Sequence, residues 1–358
     1  MSNKVFAGID DGHDGIKIFL NNEMGETFFI RLESIAQIGE GNIVEVSQQA
    51  LNEMMIYVDQ PDGTTEHYMV DNRFVVNKLD TRTSDYAYND LNIALVVQAL
   101  RKISGNVDNL NIVAGLPASR YYDKAHNTKN QDIIDKKNHS LKNMNRAYSP
   151  ADNRRFNVQN VDIAPEGYGA AFDLMFDDRL KPTEYFQDIS DYGCIIVDIG
   201  GRTVDVVKVM AKTCLPIGSE LLSFDKGVLF LKDKVGAALS EHVSASFTLN
   251  DNLIERAMKT GWIGRVNTPQ GFNVSEIISS LYKSHVDSIY HDIRDVLNSN
   301  EAFGGVIFAG GGSYLLGELL KNKIETSGNH RCHVTIADKP EFANAKGFWK
   351  VARRKFKD

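Results

Sequence analysis

The feature that most constrains this chain is a hairpin that occurs twice. "AGIDDGHDGIKIFL", residues 7 to 20, drives an apolar strand into two adjacent carboxylates and a glycine, then leaves as a second apolar strand carrying a lysine. "YGCIIVDIGGRTVDVVKVM", residues 192 to 210, repeats the pattern. At a constant offset of 188 residues, Ile9 matches Val197, Asp10 matches Asp198, Gly12 matches Gly200, Ile16 matches Val204 and Ile18 matches Val206. A single Asp-Gly turn is ordinary hairpin punctuation. Two copies with the same internal offsets, each fed by a strand of matching pattern, imply two halves built on one device.

The device has a chemistry. An acid that ends a buried strand, followed at once by glycines, sets a carboxylate beside backbone N–H groups able to close around an anion. Two such hairpins facing each other would grip a phosphate chain from both sides. A carboxylate repels phosphate unless a cation lies between them, and magnesium reaches protein through one or two carboxylates while touching phosphate oxygens. Asp10 and Asp198 are the natural pair, and Lys17 on the returning strand can put positive charge on the phosphates. A triple glycine, Gly310, Gly311 and Gly312, follows an apolar strand and precedes a helix. It is either a packing turn or a place where bare backbone admits a nucleotide at a helix N-terminus.

The rest of the chain fits around these units. At 358 residues and 42% hydrophobic it exceeds one ordinary domain of about 100 to 200 residues, so two domains are expected. A net charge of −7 argues against a surface that wraps nucleic acid directly. The first ten residues lack the apolar core of a secretory signal, and no apolar run reaches the ~18 residues of a membrane span. Cys194, Cys214 and Cys332 are few and far apart, which fits reduced thiols in a cytoplasmic protein. The pattern predicts a hairpin over 54 to 70 around Pro61-Asp62-Gly63, a helix over 91 to 104 and a buried strand over 109 to 117. "ASRYYDK" then reads as a turn. A polar, basic stretch from 124 to 155, with Lys136, Lys137, Lys142, Arg146, Arg154 and Arg155, reads as a solvated surface excursion or, alternatively, a contact site for a partner. Residues 275 to 297 form the clearest amphipathic helix. His330 and His333 have a spacing that two ligands of one metal can have, with only Cys332 beside them. "FWKVARRKFKD" at the end reads as a docked helix with a basic end, a membrane-anchoring helix being the alternative.

The ordered set "GIDDGHDGIKI", "LPASRYYD", "APEGYGAAFD", "VDIGGRTVDVV" and "FAGGG", closed by "PEFANAKGFWKV", resembles the ordered motifs of the actin-like ATPases, and most of all the plasmid-segregation actins of the ParM/StbA type. The resemblance implies an α/β, two-lobed actin-like fold, a duplicated ribonuclease H-like unit with a nucleotide cleft between the lobes. Domain I would span 1 to 165, with an insertion near 30 to 90, and be completed by a C-terminal helix at 340 to 358. Domain II would span 166 to 339, with an insertion near 225 to 300. By position, Asp10 and Asp198 would hold Mg2+ partly through water. Asp11, Gly12, His13 and Lys17 would bind nucleotide from one hairpin, Gly200, Gly201, Arg202 and Thr203 from the other, and Gly310 to Gly312 beside adenosine. Glu166 would orient or deprotonate the attacking water, the alternative being an acid that favours a helix N-terminus after Pro165. His13 and Arg202 depart from the usual pattern, and Asp11 has no fixed role beyond its turn. The family further implies an ATPase, with GTP as the alternative nucleotide, that assembles head to tail into filaments and moves plasmid DNA through a DNA-bound adaptor of the ParR type. A metabolite kinase of the superfamily and a nucleotide-gated scaffold that does not polymerise are the rival readings.

Overall fold

The computed structural model describes residues 4 to 357, except 23, 41–46, 72, 106, 108, 124–127, 214, 243–248, 268–270, 298–302 and 328–332. Cys214, Cys332 and His330 therefore lie outside the described residues.

Two five-stranded sheets carry the fold, and they share one topology. In the first lobe the strands are β1 (Val5–Asp11), β2 (Gly15–Asn21), β3 (Thr27–Glu33), β4 (Leu110–Leu116) and β5 (Val158–Pro165), in the order β3-β2-β1-β4-β5. The second lobe has β6 (Cys194–Ile199), β7 (Val204–Val209), β8 (Leu222–Phe224), β9 (Gly305–Ala309) and β10 (His333–Ile336), in the order β8-β7-β6-β9-β10. In each sheet the first three strands form an antiparallel meander, and the last two add in parallel. The 188-residue offset is thus a structural equivalence: Ile9 faces Ile18 across the first hairpin as Val197 faces Val206 across the second. Strands such as "CIIVDI" are β-branched and almost wholly buried, as expected where helices cover a parallel edge.

Helices α1 (Asp90–Arg101), α2 (Gln131–Lys142) and α3 (Tyr168–Met175) accompany the first sheet and the crossover to the second. The Asn89 side chain caps α1 by accepting from the Asn92 N–H. A four-stranded sheet stands beside this lobe, built from Ala147–Tyr148, Met55–Asp59, Thr65–Met69 and Gln37–Ile38 in that order. The segment near 30 to 90 supplies three of these strands, and the fourth returns from a point further along the chain. In the second lobe α4 (Val228–His242), α5 (Asp251–Thr260) and α6 (Ser275–Leu297) precede β9, and α7 (Ser313–Thr326) follows it.

Two details correct the sequence reading. "ASRYYDK" opens with a single helical turn, Ala118–Tyr121, closed by the Arg120 and Tyr121 N–H groups donating to the Pro117 carbonyl at 2.8 and 2.9 Å. The 124–155 stretch, expected as a solvated helix and loop, does contain a helix with exposed residues, but over the described residues 128–155 one face of it is packed. α2 buries Ile134, Lys137, Ser140 and Leu141, so its basic composition conceals a packed face.

The last helix, α8 (Ala343–Lys355), lies across both α3 and β1. It gets there through glycine. A Cβ on Gly8 would stand 1.8 Å from the Ala345 carbonyl oxygen, and one on Gly347 would stand 1.8 Å from that of Gly169. Trp349 meets Phe19 edge-on at 4.7 Å. The basic end is docked, with Lys355 paired to Asp162 at 2.6 Å and Arg353 donating to the Asp178 carbonyl. Among the described residues, no helix is long and apolar enough to cross a membrane. Because the Gly8 contact is backbone against backbone, no rotamer change relieves it. Gly8→Ala should therefore cost about 1–3 kcal/mol or more, read as a lower urea midpoint with an unchanged slope.

Candidate functional site

The two hairpins meet. A Cβ on Gly201 would lie 3.0 Å from the Cβ of Asp14, so the second turn closes directly on the first. Behind this contact is a cavity of about 330 Å³, lined by both turns and by Asp10, Lys17, Lys137, Glu166, Asp198 and Asp205 among others. The hairpins thus bring together Asp10, Asp11, Gly12, His13, Lys17, Gly200, Gly201, Arg202 and Thr203, and the end of β5 adds Glu166.

The equivalence of the hairpins breaks at one pair. Asp10 faces Lys17 across the first, with Lys17 Nζ 3.6 Å from Asp10 Oδ2. In the second, Asp198 faces Asp205, whose carboxylate accepts from the Thr203 hydroxyl at 2.7 Å. Burial lifts the Asp198 carboxyl to about 7, with Asp10 and Asp205 adding to the rise and Lys17 opposing it. Burial likewise raises Asp10 and holds Glu166 well above the usual carboxylate range, and in Glu166 the charges of Asp10 and Asp198 reinforce it. Burial alone would lower the Lys17 ammonium, but the fields of Asp10, Asp14, Asp198 and Glu166 outweigh it and leave it raised.

Second-lobe positions are fixed by backbone. The Gly200 N–H donates to Thr203 O at 2.9 Å, and the N–H groups of Val228 and Leu229, at the start of α4, donate to the Gly200 and Gly201 carbonyls. Arg202 is half-exposed and pairs with Asp225 at 3.3 Å. In the first turn, Ser34 donates to the Gly12 carbonyl at 2.8 Å. His13 Nδ1 lies 2.6 Å from the Thr81 carbonyl, and the Thr81 hydroxyl donates back to the His13 carbonyl at 3.1 Å. That bond puts the ring proton on Nδ1, and burial, aided by Arg202 and Arg120, keeps the imidazole neutral against the pull of the same bond.

The triple glycine lies beside Asp198 but outside the cavity lining. Gly310 has φ +79°, and a Cβ there would stand 2.2 Å from Asp198 Oδ1; one on Gly312 would meet Ile199 at 2.4 Å. Both are bare because protein packs against them. Gly311, whose Cβ would meet nothing nearer than Glu341 at 3.8 Å, alone leaves room for a ligand.

Four side chains at or beside the cavity escaped the sequence. Lys137, 1% exposed, donates to Asp11 Oδ1 at 2.6 Å and to the Gly115 carbonyl at 2.5 Å, while Asn92 donates to Asp11 Oδ2 at 2.8 Å. Asp11 therefore holds a cation at the cavity wall. The available signal was Lys137 on the apolar stripe of α2, three residues after Ile134 and four before Leu141. Asp205 was legible by carrying Lys17 forward 188 positions. Asn344 donates to Asp198 Oδ2 at 2.8 Å and accepts from the N–H groups of Gly167 and Ala170 at 3.0 and 3.2 Å. It caps α3 from outside, which leaves the Glu166 carboxylate to the cavity. Arg120, donating to the Ser84 carbonyl, is the fourth.

Among the described residues, no three His, Cys, Asp or Glu side chains gather into a metal cage. Crowded, raised carboxylates on two facing turns suit instead a hard dication that keeps its waters and shares phosphate oxygens. Asp10 and Asp198 fit magnesium on those terms.

A duplicated five-stranded unit with facing acid–glycine turns defines the actin-like class. The comparisons agree. Residues 5–177 match the family described as plasmid segregation protein ParM, N-terminal, and residues 196–322 match that described as archaeal actin homologue MreB-like, C-terminal. By these matches the chain has the actin-like fold, and its first half is similar to the ParM/StbA type. Among solved structures it resembles a non-polymerisable quadruple mutant of pCBH ParM, at 19% identity over 98% of this chain and 100% of that one, TM-score 0.68. It also resembles Ta0583, an archaeal actin homologue, in complex with ADP, at 18% identity, 98% and 100% coverage and TM-score 0.70. A 15-stranded ParM filament from Clostridium botulinum matches at 20% identity, 98% and 99% coverage and TM-score 0.62. No curated protein sequence matches the chain.

The Asp11–Lys137 pair gives a sharp expectation. Lys137→Met strands a buried carboxylate and should cost about 3–5 kcal/mol, whereas Lys137→Met with Asp11→Leu should recover much of that loss. Urea denaturation of both variants checks it.

Proposed function

We propose that the chain is a magnesium-dependent ATPase that assembles into filaments. The observation that carries this reading is the pair of equivalent hairpins closing Asp10 and Asp198 on one cavity that Glu166 also lines. Asp10 and Asp198 would hold magnesium and its water shell; bound there, the ion would draw charge from the β- and γ-phosphate oxygens. The two turns and Gly311 would seat the phosphates and the adenosine side. Lys17 and Lys137 bring the ammonium charge, Lys137 as a point charge fixed by Asp11.

Hydrolysis proceeds by in-line attack of water on the γ-phosphorus. The new O–P bond forms as the bond to the β–γ bridging oxygen breaks, and the electron pair leaves with ADP. Glu166 orients the water and accepts its proton. A carboxylate whose proton affinity is raised by burial and by neighbouring acids is suited to that task.

Filament formation follows the ParM type, of which one similar structure is a filament. A head-to-tail contact that does not close on itself makes a filament rather than a ring. Movement of plasmid DNA through a DNA-bound adaptor of the ParR type is the reading that fits this type and the net charge of −7, which disfavours direct contact with nucleic acid.

Light scattering and phosphate release on adding Mg-ATP test the proposal. Glu166→Ala should still assemble, with phosphate release slower by about 10²- to 10⁴-fold and disassembly delayed with it. Wild-type protein that neither assembles nor hydrolyses under Mg-ATP would overturn the reading.

A further inference from the structure

Asn344 occupies a place that the proposed reaction does not yet use. It is 4% exposed, and both ends of its amide are engaged. Oδ1 accepts from the Gly167 and Ala170 N–H groups, which fixes the flip of the amide and turns Nδ2 onto Asp198 Oδ2 at 2.8 Å. Gly167 directly follows Glu166, whose own N–H is held by the Leu116 carbonyl at 2.8 Å. One side chain therefore touches both the segment that carries the general base and the carboxylate assigned to the metal.

Asp198 needs that contact. Its neighbours across the hairpin and across the cavity, Asp205 and Asp10, are of its own sign and push it away. On its other side a Gly310 Cβ would be 2.2 Å from Oδ1, so the carboxylate is wedged against backbone. The Asn344 amide supplies a fixed donor to Oδ2 from a rigid helix, and Oδ1 keeps its own direction. We infer that Asn344 is a positioning residue for the hydrolytic site: it sets the carboxylate plane of Asp198 for the hydrated metal and couples that plane to the backbone bearing Glu166. The inference rests on the proposed Mg-ATPase reading.

Two variants test it. Asn344→Asp keeps an acceptor for the α3 N–H groups and loses the donor to Asp198; Asn344→Met removes both at similar volume. Partners that orient a metal ligand typically contribute about 10- to 100-fold to metal affinity or activity. Both variants should therefore need about 10- to 100-fold more Mg2+ for half-maximal tightening of a fluorescent ADP analogue, with kcat lowered by a similar factor. Affinity for the same analogue in EDTA should stay at the wild-type value. A purely capping role predicts something else, namely a lower melting temperature for Asn344→Met alone and wild-type Mg2+ dependence in both variants. That result would overturn the inference while leaving the ATPase reading intact, since wild-type turnover is measured alongside. Absence of Mg2+-dependent nucleotide binding in the wild type would overturn both.

Discussion

The carboxylates of Asp10, Asp11, Glu166, Asp198 and Asp205 line one cavity, and among them Asp11 has a close ammonium partner, Lys137 at 2.6 Å; keeping like charges together is the constraint that the rest of the molecule serves. The cations lining that cavity are largely committed: Lys137 to Asp11 and Gly115, Arg202 to Asp225, Arg120 to Ser84. Lys17 is left to face Asp10 at 3.6 Å, a loose pairing for a buried site. The acids stay in place because Asp10 and Asp198 sit in strands paired on both sides, and Glu166 follows an edge strand whose end is fixed by its own N–H on the Leu116 carbonyl. Asp10 is in β1, Glu166 follows β5 and Asp198 is in β6. The thermodynamic sign follows. With its carboxyl raised to about 7, the folded chain binds more protons than the unfolded one between the ordinary carboxylate range and that value. Stability is lost as pH rises through this window, and a cation bound among the acids would restore it.

The asymmetry of the hairpins gives this crowding a direction. Duplication put equivalent strands in both lobes, yet the position opposite the first acid is Lys17 and the position opposite the second is Asp205. At that position the second lobe presents a further carboxylate to the cavity where the first presents an ammonium. A phosphate chain running between them would meet the lysine on one side and would need a metal on the other. One fold used twice thus makes a polar, oriented cleft through a single change of sign.

Much of this was legible because it is local. The hairpins, the 54 to 70 ribbon, α1 and β4 follow from alternation and turn chemistry within a few residues, and the 188-residue offset survives in the register of the sheets. What escaped was non-local. Lys137 reads as one of many surface lysines until α2 is seen to bury it against Asp11, 126 positions away. His13 reads as a departure from the usual turn until its ring N–H is seen to donate to the Thr81 carbonyl. The triple glycine reads as a ligand loop, yet two of its three members are bare to admit Asp198 and Ile199. In each case residue type was correct for the site, and the partner was hidden by distance along the chain.

The same distance explains the last helix. α8 comes closest to β1 and α3 where glycine removes the side chains between backbones, at Gly8, Gly169 and Gly347. Contacts of that kind carry little rotamer entropy cost and allow no accommodation, so backbone shape fixes the helix more tightly than its side-chain packing alone would. Asn344 sits at its start, and its amide inherits that fixed position. A donor meant to hold a carboxylate against its own repulsive neighbours gains from such a mount, because any slack in the helix would be spent by Asp198 in moving away from Asp10 and Asp205. The last helix thus packs on the sheet of the first lobe, and through Asn344 the same element reaches the acid of the second.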